Sequence, residues 1–140
     1  MRKIYWKIFK PVTLGARVIV DCQDAILLVQ PRYSKQWYLP GGKVHKKENA
    51  INAIKRELEE ECDIKPEQYR LVGIYSNFVE AKNDHIVLFV SEAPDKKTHP
   101  GLEISSCRFF SLDALPANIS PGTARRLNEY KSNSFKSGVW

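Results

Sequence analysis

Glu57, Glu59, Glu60 and Glu61 fall within five consecutive residues of a stretch that reads as helix. Like charges three or four places apart on a helix cost about 0.2–0.5 kcal/mol a pair, so something must offset their repulsion. Glu57, Glu60 and Glu61, at i, i+3 and i+4, share one arc of about 100°. Glu59 points away with Lys55 and Asn52. Ile51, Ile54, Leu58 and Cys62 form an apolar stripe beside that arc, which puts the three carboxylates where the helix meets the core. Crowded, partly desolvated carboxylates hold either protons or cations, and an all-oxygen donor set favours hard divalent ions, Mg²⁺ or Mn²⁺, over zinc. Gly41 and Gly42 precede the helix. There the backbone can approach closely and offer a carbonyl to the metal. A carboxylate-held metal beside such a loop suits phosphoryl chemistry, in which it neutralises phosphate oxygens and activates a water. A charge-rich surface helix is the common alternative for a bare Glu-Glu-Glu run. The spacing, the glycine pair and the neighbouring Arg56 together argue against it.

Taken together, Gly42, Glu48, Arg56, Glu57, Leu58, Glu60, Glu61 and Ile64 match G-x5-E-x7-R-E-U-x-E-E-x-G-U, where U is a bulky aliphatic residue. The segment resembles the Nudix box. Its one departure is Asp63, where the family has a glycine that ends the helix in a left-handed conformation; Asp tolerates that conformation better than most residues. The resemblance extends from about Thr13 to Pro116. It implies an α/β fold, an α/β/α sandwich with a mixed sheet. It also implies that Glu57, Glu60 and Glu61 bind catalytic Mg²⁺ or Mn²⁺ with a carbonyl near Gly41 or Gly42. Arg56 and Glu48 would pair and orient those ligands. The implied reaction is hydrolysis of a nucleoside diphosphate linked to another moiety, by water attack on phosphorus. Candidates for the general base are a box glutamate or Glu103 in the "GLEI" loop.

The substrate pocket is less legible. Trp37, Tyr33, Tyr38 and Phe78 are candidates for stacking on a base, with core packing the favoured alternative for Trp37 and Tyr38. Arg17, Arg32 and Lys35 are candidates for phosphate or ribose, with Arg17 the most suggestive because it lies among apolar neighbours on a strand. The proline that marks an ADP-ribose subgroup is absent from "FVEAK". Two alternatives stand beside the small-molecule hydrolase: removal of diphosphate from an RNA 5′ end, and a non-catalytic Nudix-like binding module.

These residues need a scaffold, and the chain supplies one domain across residues 1–140. Strands are expected over Thr13–Cys22, Ala25–Gln30, Tyr69–Val79, His85–Ala93 and Cys107–Leu112. The unbroken apolar run Ile26–Val29 implies a strand covered on both faces. The glutamate helix runs from about Glu48 or Asn49 to Cys62 with Asn49 as N-cap, and a last helix opens with Ser120 as N-cap and Pro121 at its first turn. The tail, residues 131–140, reads as loose. Lys3, Lys7 and Lys10 with Ile4 and Ile8 suggest a basic amphipathic segment over residues 1–12, with membrane-surface contact through residues 1–10 a lesser possibility.

The formal net charge is +6, with +4 in residues 1–10 and +3 in residues 116–140. The excess therefore sits at the two ends, and a nucleic-acid-binding face is not favoured. Cys22, Cys62 and Cys107 lack CxxC spacing, which argues against a zinc site or disulfide framework and for reduced thiols in the cytoplasm. No run approaches the roughly 18–20 apolar residues of a membrane span.

Overall fold

In the computed structural model, residues 12–78 and 83–140 are described; the expected basic helix over residues 1–10 and the last expected strand residue, Val79, lie outside them. Alternating small and β-branched residues make Thr13–Cys22 the strand β1, which turns through Gln23 and Asp24 (φ 53° and 63°) into β2, Ala25–Pro31. The remaining strands are β3 (Gly41–Lys43), β4 (Tyr69–Asn77), β5 (Asp84–Glu92), β6 (Ile104–Ser111) and β7 (Gly138–Val139). The helices are α1 (Ala50–Cys62) and α2 (Pro121–Lys131).

The seven strands form one mixed sheet in the order β6-β2-β1-β5-β4-β7, with β3 also on β1. β1 and β5 run parallel from Thr13↔Asp84 to Asp21↔Glu92. By contrast, β2 touches β1 only at Asp21↔Ile26 and Cys22↔Ala25 before it diverges to pair with β6. The gap between the diverging strands is filled by the segment that follows β2. Tyr38 bridges to Val29, and β3 pairs with Gly15–Arg17. This split in the sheet holds the site described below.

Both faces of the sheet are covered, as a βαβ-like parallel core requires. Val18, Val20, Leu27, Val29 and Phe89 pack under Ile54, Leu58 and Cys62 of α1. On the other face Ile19, Ile26, Leu28, Leu88 and Val90 pack with Leu127 of α2, Trp37 and Tyr75. The expected α/β/α sandwich with a mixed sheet is the fold.

Two expectations are corrected. The buried stripe of α1 is Ala53, Ile54, Leu58 and Cys62, whereas Ile51 is 42% exposed. The helix rests on the sheet slightly to one side of its most hydrophobic line, so a small alanine takes the contact. The tail is also ordered rather than loose. β7 pairs with Tyr75–Ser76, and the Trp140 ring meets Tyr75 edge-on with centroids 5.6 Å apart. The Arg126 guanidinium sits 4.1 Å from the Tyr75 ring centroid and 5.2 Å from that of Trp140. A cation between two rings holds the tail by contacts that no local pattern announces.

Candidate active site

The glutamates are delivered by a helix with both ends secured. At its start, Asn49 Oδ1 accepts the Asn52 N–H at 2.8 Å. At its end Asp63 adopts the left-handed conformation (φ 55°, ψ 44°), and its N–H bonds the Glu59 carbonyl, so Asp does here what the family's glycine does. The carbonyls of Glu61 and Cys62 accept the N–H groups of Gly101 and His99, each at 3.0 Å. These bonds satisfy helix-end acceptors and dock the β5–β6 loop on the helix. Position 101 has no room for a side chain, because a Cβ would lie 1.9 Å from the Glu60 carbonyl oxygen.

The glycine pair is placed for two different reasons. Gly41 has φ +145° and donates its N–H to Glu61 Oε1 at 2.9 Å. Gly42 leaves the space that the Glu57 carboxylate uses, since a Cβ there would sit 2.6 Å from Glu57 Oε1. Arg17 Nη1 donates to the carbonyls of Leu39 (2.9 Å) and Gly41 (3.3 Å), fixing the same loop from below.

Arg56 organises the carboxylates. Its Nε and Nη2 grip both oxygens of Glu48 at 2.9 and 3.0 Å, a bidentate fork that Lys cannot reproduce. Its Nη1 donates to Glu57 Oε1 at 2.9 Å and lies 3.5 Å from Glu60 Oε2. The Arg56 guanidinium, helped by the His45 N–H, holds the Glu48 carboxyl down at about 2. Glu61 moves the other way. Burial of its carboxylate pushes it up to about 8, against the pull of the Gly41 N–H and Arg17 and with a further push from Glu57 and Glu60.

Glu57, Glu60, Glu61, Gly41, Arg17 and Glu103 line one cleft of about 580 Å³, together with Tyr33, Tyr38 and Leu102. The donor set suits a hard divalent cation: three carboxylates and the Gly41 loop face one space, and one carboxylate is desolvated enough to need a proton or a cation. As the side chains stand, no three His, Cys, Asp or Glu groups converge on a point among the described residues. Glu60 lines the cleft as its most open carboxylate, with its side chain 60% exposed and 3.5 Å from Arg56.

The other predicted residues fall elsewhere. Arg56 and Glu48 stand behind the glutamates. Arg32 is outside the cleft lining; its Nε donates to the Leu102 carbonyl at 2.6 Å and its N–H to the Glu103 carbonyl at 3.0 Å, so it ties the β2–β3 loop to the loop carrying Glu103. Trp37, expected at the substrate, is 7% exposed on the opposite face, edge-on to Phe110 with centroids 4.8 Å apart. Its backbone pairs with Asn118 and Ser120, which turns the ring into the α2-side core. Phe78 is 54% exposed just after β4, away from the cleft lining. The aromatic side chains that do reach the cleft are Tyr33 and Tyr38. Leu102, which was not singled out, joins them, and only its place beside Glu103 could have suggested it. A second cavity of about 710 Å³, lined by residues 65–70 and Tyr130, contains none of these groups.

The fold and this glutamate cleft define a Nudix-type hydrolase domain, and comparison with known proteins agrees. The NUDIX domain model matches residues 10–130, and the chain belongs to the Nudix hydrolase family. It is 30% identical over 123 residues to the Bacillus subtilis protein named "Putative 8-oxo-dGTP diphosphatase", covering 87% of this chain and 82% of that one. A shorter match, 43% over 56 residues, is to the rat diphosphoinositol polyphosphate phosphohydrolase 2, covering 39% of this chain and 31% of that one. Among solved structures, a Nudix hydrolase from Nitrosomonas europaea superposes with a TM-score of 0.79 at 22% identity, over 91% of this chain and 78% of that one; this likeness concerns the fold. No helix among the described residues is long and apolar enough to cross a membrane.

Proposed function

We propose that the chain is a divalent-metal-dependent pyrophosphohydrolase that cleaves a nucleoside diphosphate linked to a second moiety. The observation that carries this reading is the gathering of Glu57, Glu60, Glu61, Gly41 and Arg17 in one cleft, with Glu61 desolvated. Mg²⁺ or Mn²⁺ held by the three glutamates and the Gly41 carbonyl would neutralise phosphate oxygens and activate water. The chain's own residues do the rest. Arg56 aims Glu57 and Glu60 while Glu48 fixes Arg56, and Arg17 keeps the Gly41 carbonyl in place. Glu103, exposed at the cleft and tethered through its carbonyl to Arg32, is one candidate to take the proton of the attacking water, with a box glutamate as the other. Relatedness to a protein named for 8-oxo-dGTP over 87% of this chain supports a nucleotide substrate. Cys22, Cys62 and Cys107 are free and buried, which suits the cytoplasm.

The test is phosphate release from NTPs, dNTPs, nucleotide sugars, ADP-ribose and dinucleoside polyphosphates, with 5′-triphosphorylated RNA alongside, in Mg²⁺ and in Mn²⁺. Metal-dependent turnover of a small nucleotide supports the reading. Turnover of RNA ends alone, or none at all, overturns it.

A further inference from the structure

Tyr33 and Leu102 are 88% and 93% exposed, yet both line the cleft that holds the glutamates. Large apolar side chains left so bare at a site mark a surface that something covers. Their backbones are not free to wander. Arg32 Nε donates to the Leu102 carbonyl at 2.6 Å, the Ser34 N–H bonds the Pro31 carbonyl at 3.1 Å, and Ser34 Oγ lies 3.2 Å from Tyr38 Oη. Two loops far apart in the chain are thus clipped together, each presenting one large side chain to the cleft that Tyr38 also lines.

The charges of the cleft narrow the occupant. Among its described lining residues are Glu57, Glu60, Glu61 and Glu103 against the single cation Arg17, and Arg17 already serves two carbonyls. A cation-requiring diphosphate can sit at the glutamates, and the lining beside them, Tyr33, Tyr38, Leu102 and Ile104, is aromatic and apolar rather than cationic. Such a lining suits a flat, uncharged group next to the diphosphate.

We propose that Tyr33 and Leu102 clasp the nucleobase of the substrate, with Tyr38 beside them, and so set specificity for nucleotides over polyphosphorylated rings. This rests on the hydrolase reading above and adds the base-gripping residues to it. Stacking of a base on an aromatic side chain contributes about 1–3 kcal/mol. Tyr33→Ala and Leu102→Ala are each expected to raise KM for the preferred nucleotide about tenfold relative to KM for inorganic tripolyphosphate, with kcat changing less than KM. Tyr33→Trp restores the wild-type ratio. Leu71→Ala, an exposed apolar residue outside the cleft, leaves the ratio unchanged.

Both clasp residues are exposed, so the variants fold. An unchanged KM ratio in Tyr33→Ala, or a diphosphoinositol polyphosphate turned over as well as nucleotides, overturns the proposal. Should no diphosphate be hydrolysed at all, the hydrolase reading fails separately. Calorimetric titration with dGTP in Ca²⁺ then decides the clasp. Tenfold weaker binding by Tyr33→Ala supports it, and equal binding, or none by the wild-type chain, overturns it.

Discussion

The Glu57 carboxylate occupies the place where a side chain at position 42 would begin, with Oε1 only 2.6 Å from a Cβ built on Gly42. The glycine is therefore a steric partner of a cleft glutamate. Gly42 has an ordinary φ, so its own backbone would accept Ala.

The first prediction follows from that contact. Gly42→Ala displaces Glu57 from the cleft and breaks its bond to Arg56. Misplacement of a reacting group by about 1 Å can cost on the order of 100-fold in rate, so kcat is expected to fall by about that factor with little change in melting temperature. Wild-type kcat in this variant would show that Glu57 does not act from its observed position.

Glu60→Gln and Glu61→Gln are each expected to remove most turnover while the fold persists, since both side chains reach the cleft and neither lies in a hydrophobic cluster. Steady-state kinetics beside far-UV circular dichroism checks this. Unchanged activity in both variants removes the glutamate face from the mechanism.

The protonation of Glu61 sets a pH dependence with a definite sign. Its carboxyl rises from the ordinary value of about 4.5 to about 8 in the folded chain, so the folded state binds this proton more tightly than the unfolded state does. In metal-free buffer the contribution of Glu61 to stability is full below about 4.5, declines as pH climbs towards about 8, and levels off above it. A divalent cation replaces the proton and cancels the decline. Melting temperatures in EDTA and in Mg²⁺ between these limits report it, and Glu61→Gln flattens the EDTA curve. A flat wild-type curve in EDTA would contradict the desolvation of Glu61. Glu48 acts in the opposite sense. Its carboxyl is held at about 2, so its contribution is present above about 4.5 and is lost as pH falls towards about 2.

Arg56→Lys keeps the charge and loses the two-pronged grip on Glu48 and the reach to Glu57. Groups that orient metal ligands typically account for about 10–100-fold in affinity or activity. A rise of about that size in the Mg²⁺ concentration for half-maximal rate is expected, and an unaltered one would reduce Arg56 to a surface ion pair.

Trp140 tests the ordered tail. It packs on the α2-side cluster, and its indole fills the space above Gly122, where a Cβ would come 2.2 Å from Nε1. Trp140→Ala is expected to cost about 2 kcal/mol of stability, roughly half of what a fully buried tryptophan loses, with KM unchanged. Denaturant midpoints measure it.

The residues of the glutamate cleft that lie on one helix were legible because their signals are short-range. Asn49 caps the helix it was expected to cap, and Asp63 turns left-handed where the family has glycine. Glu57, Glu60 and Glu61 share a face because helical spacing alone puts them there. The β1 limits and the two-sided burial of Ile26–Val29 follow from the same local periodicity. What periodicity cannot assign is the neighbour. Trp37 and Tyr38 are adjacent, and the alternation of an extended chain sends one to each face without saying which face is the cleft. That was decided by the divergence of β2 from β1 and by the bridge from Trp37 to Ile119. Arg32 clips two loops because Leu102, 70 residues away, offers its carbonyl. The tail is held by Tyr75 and Arg126 and not by its own composition. The amino-acid sequence by itself determined the glutamate helix, its caps and the succession of strands and helices, all written in contacts within a few residues. Tertiary structure alone decided which aromatic side chains line the cleft and which loops hold them, because those contacts join segments that only the assembled sheet brings together.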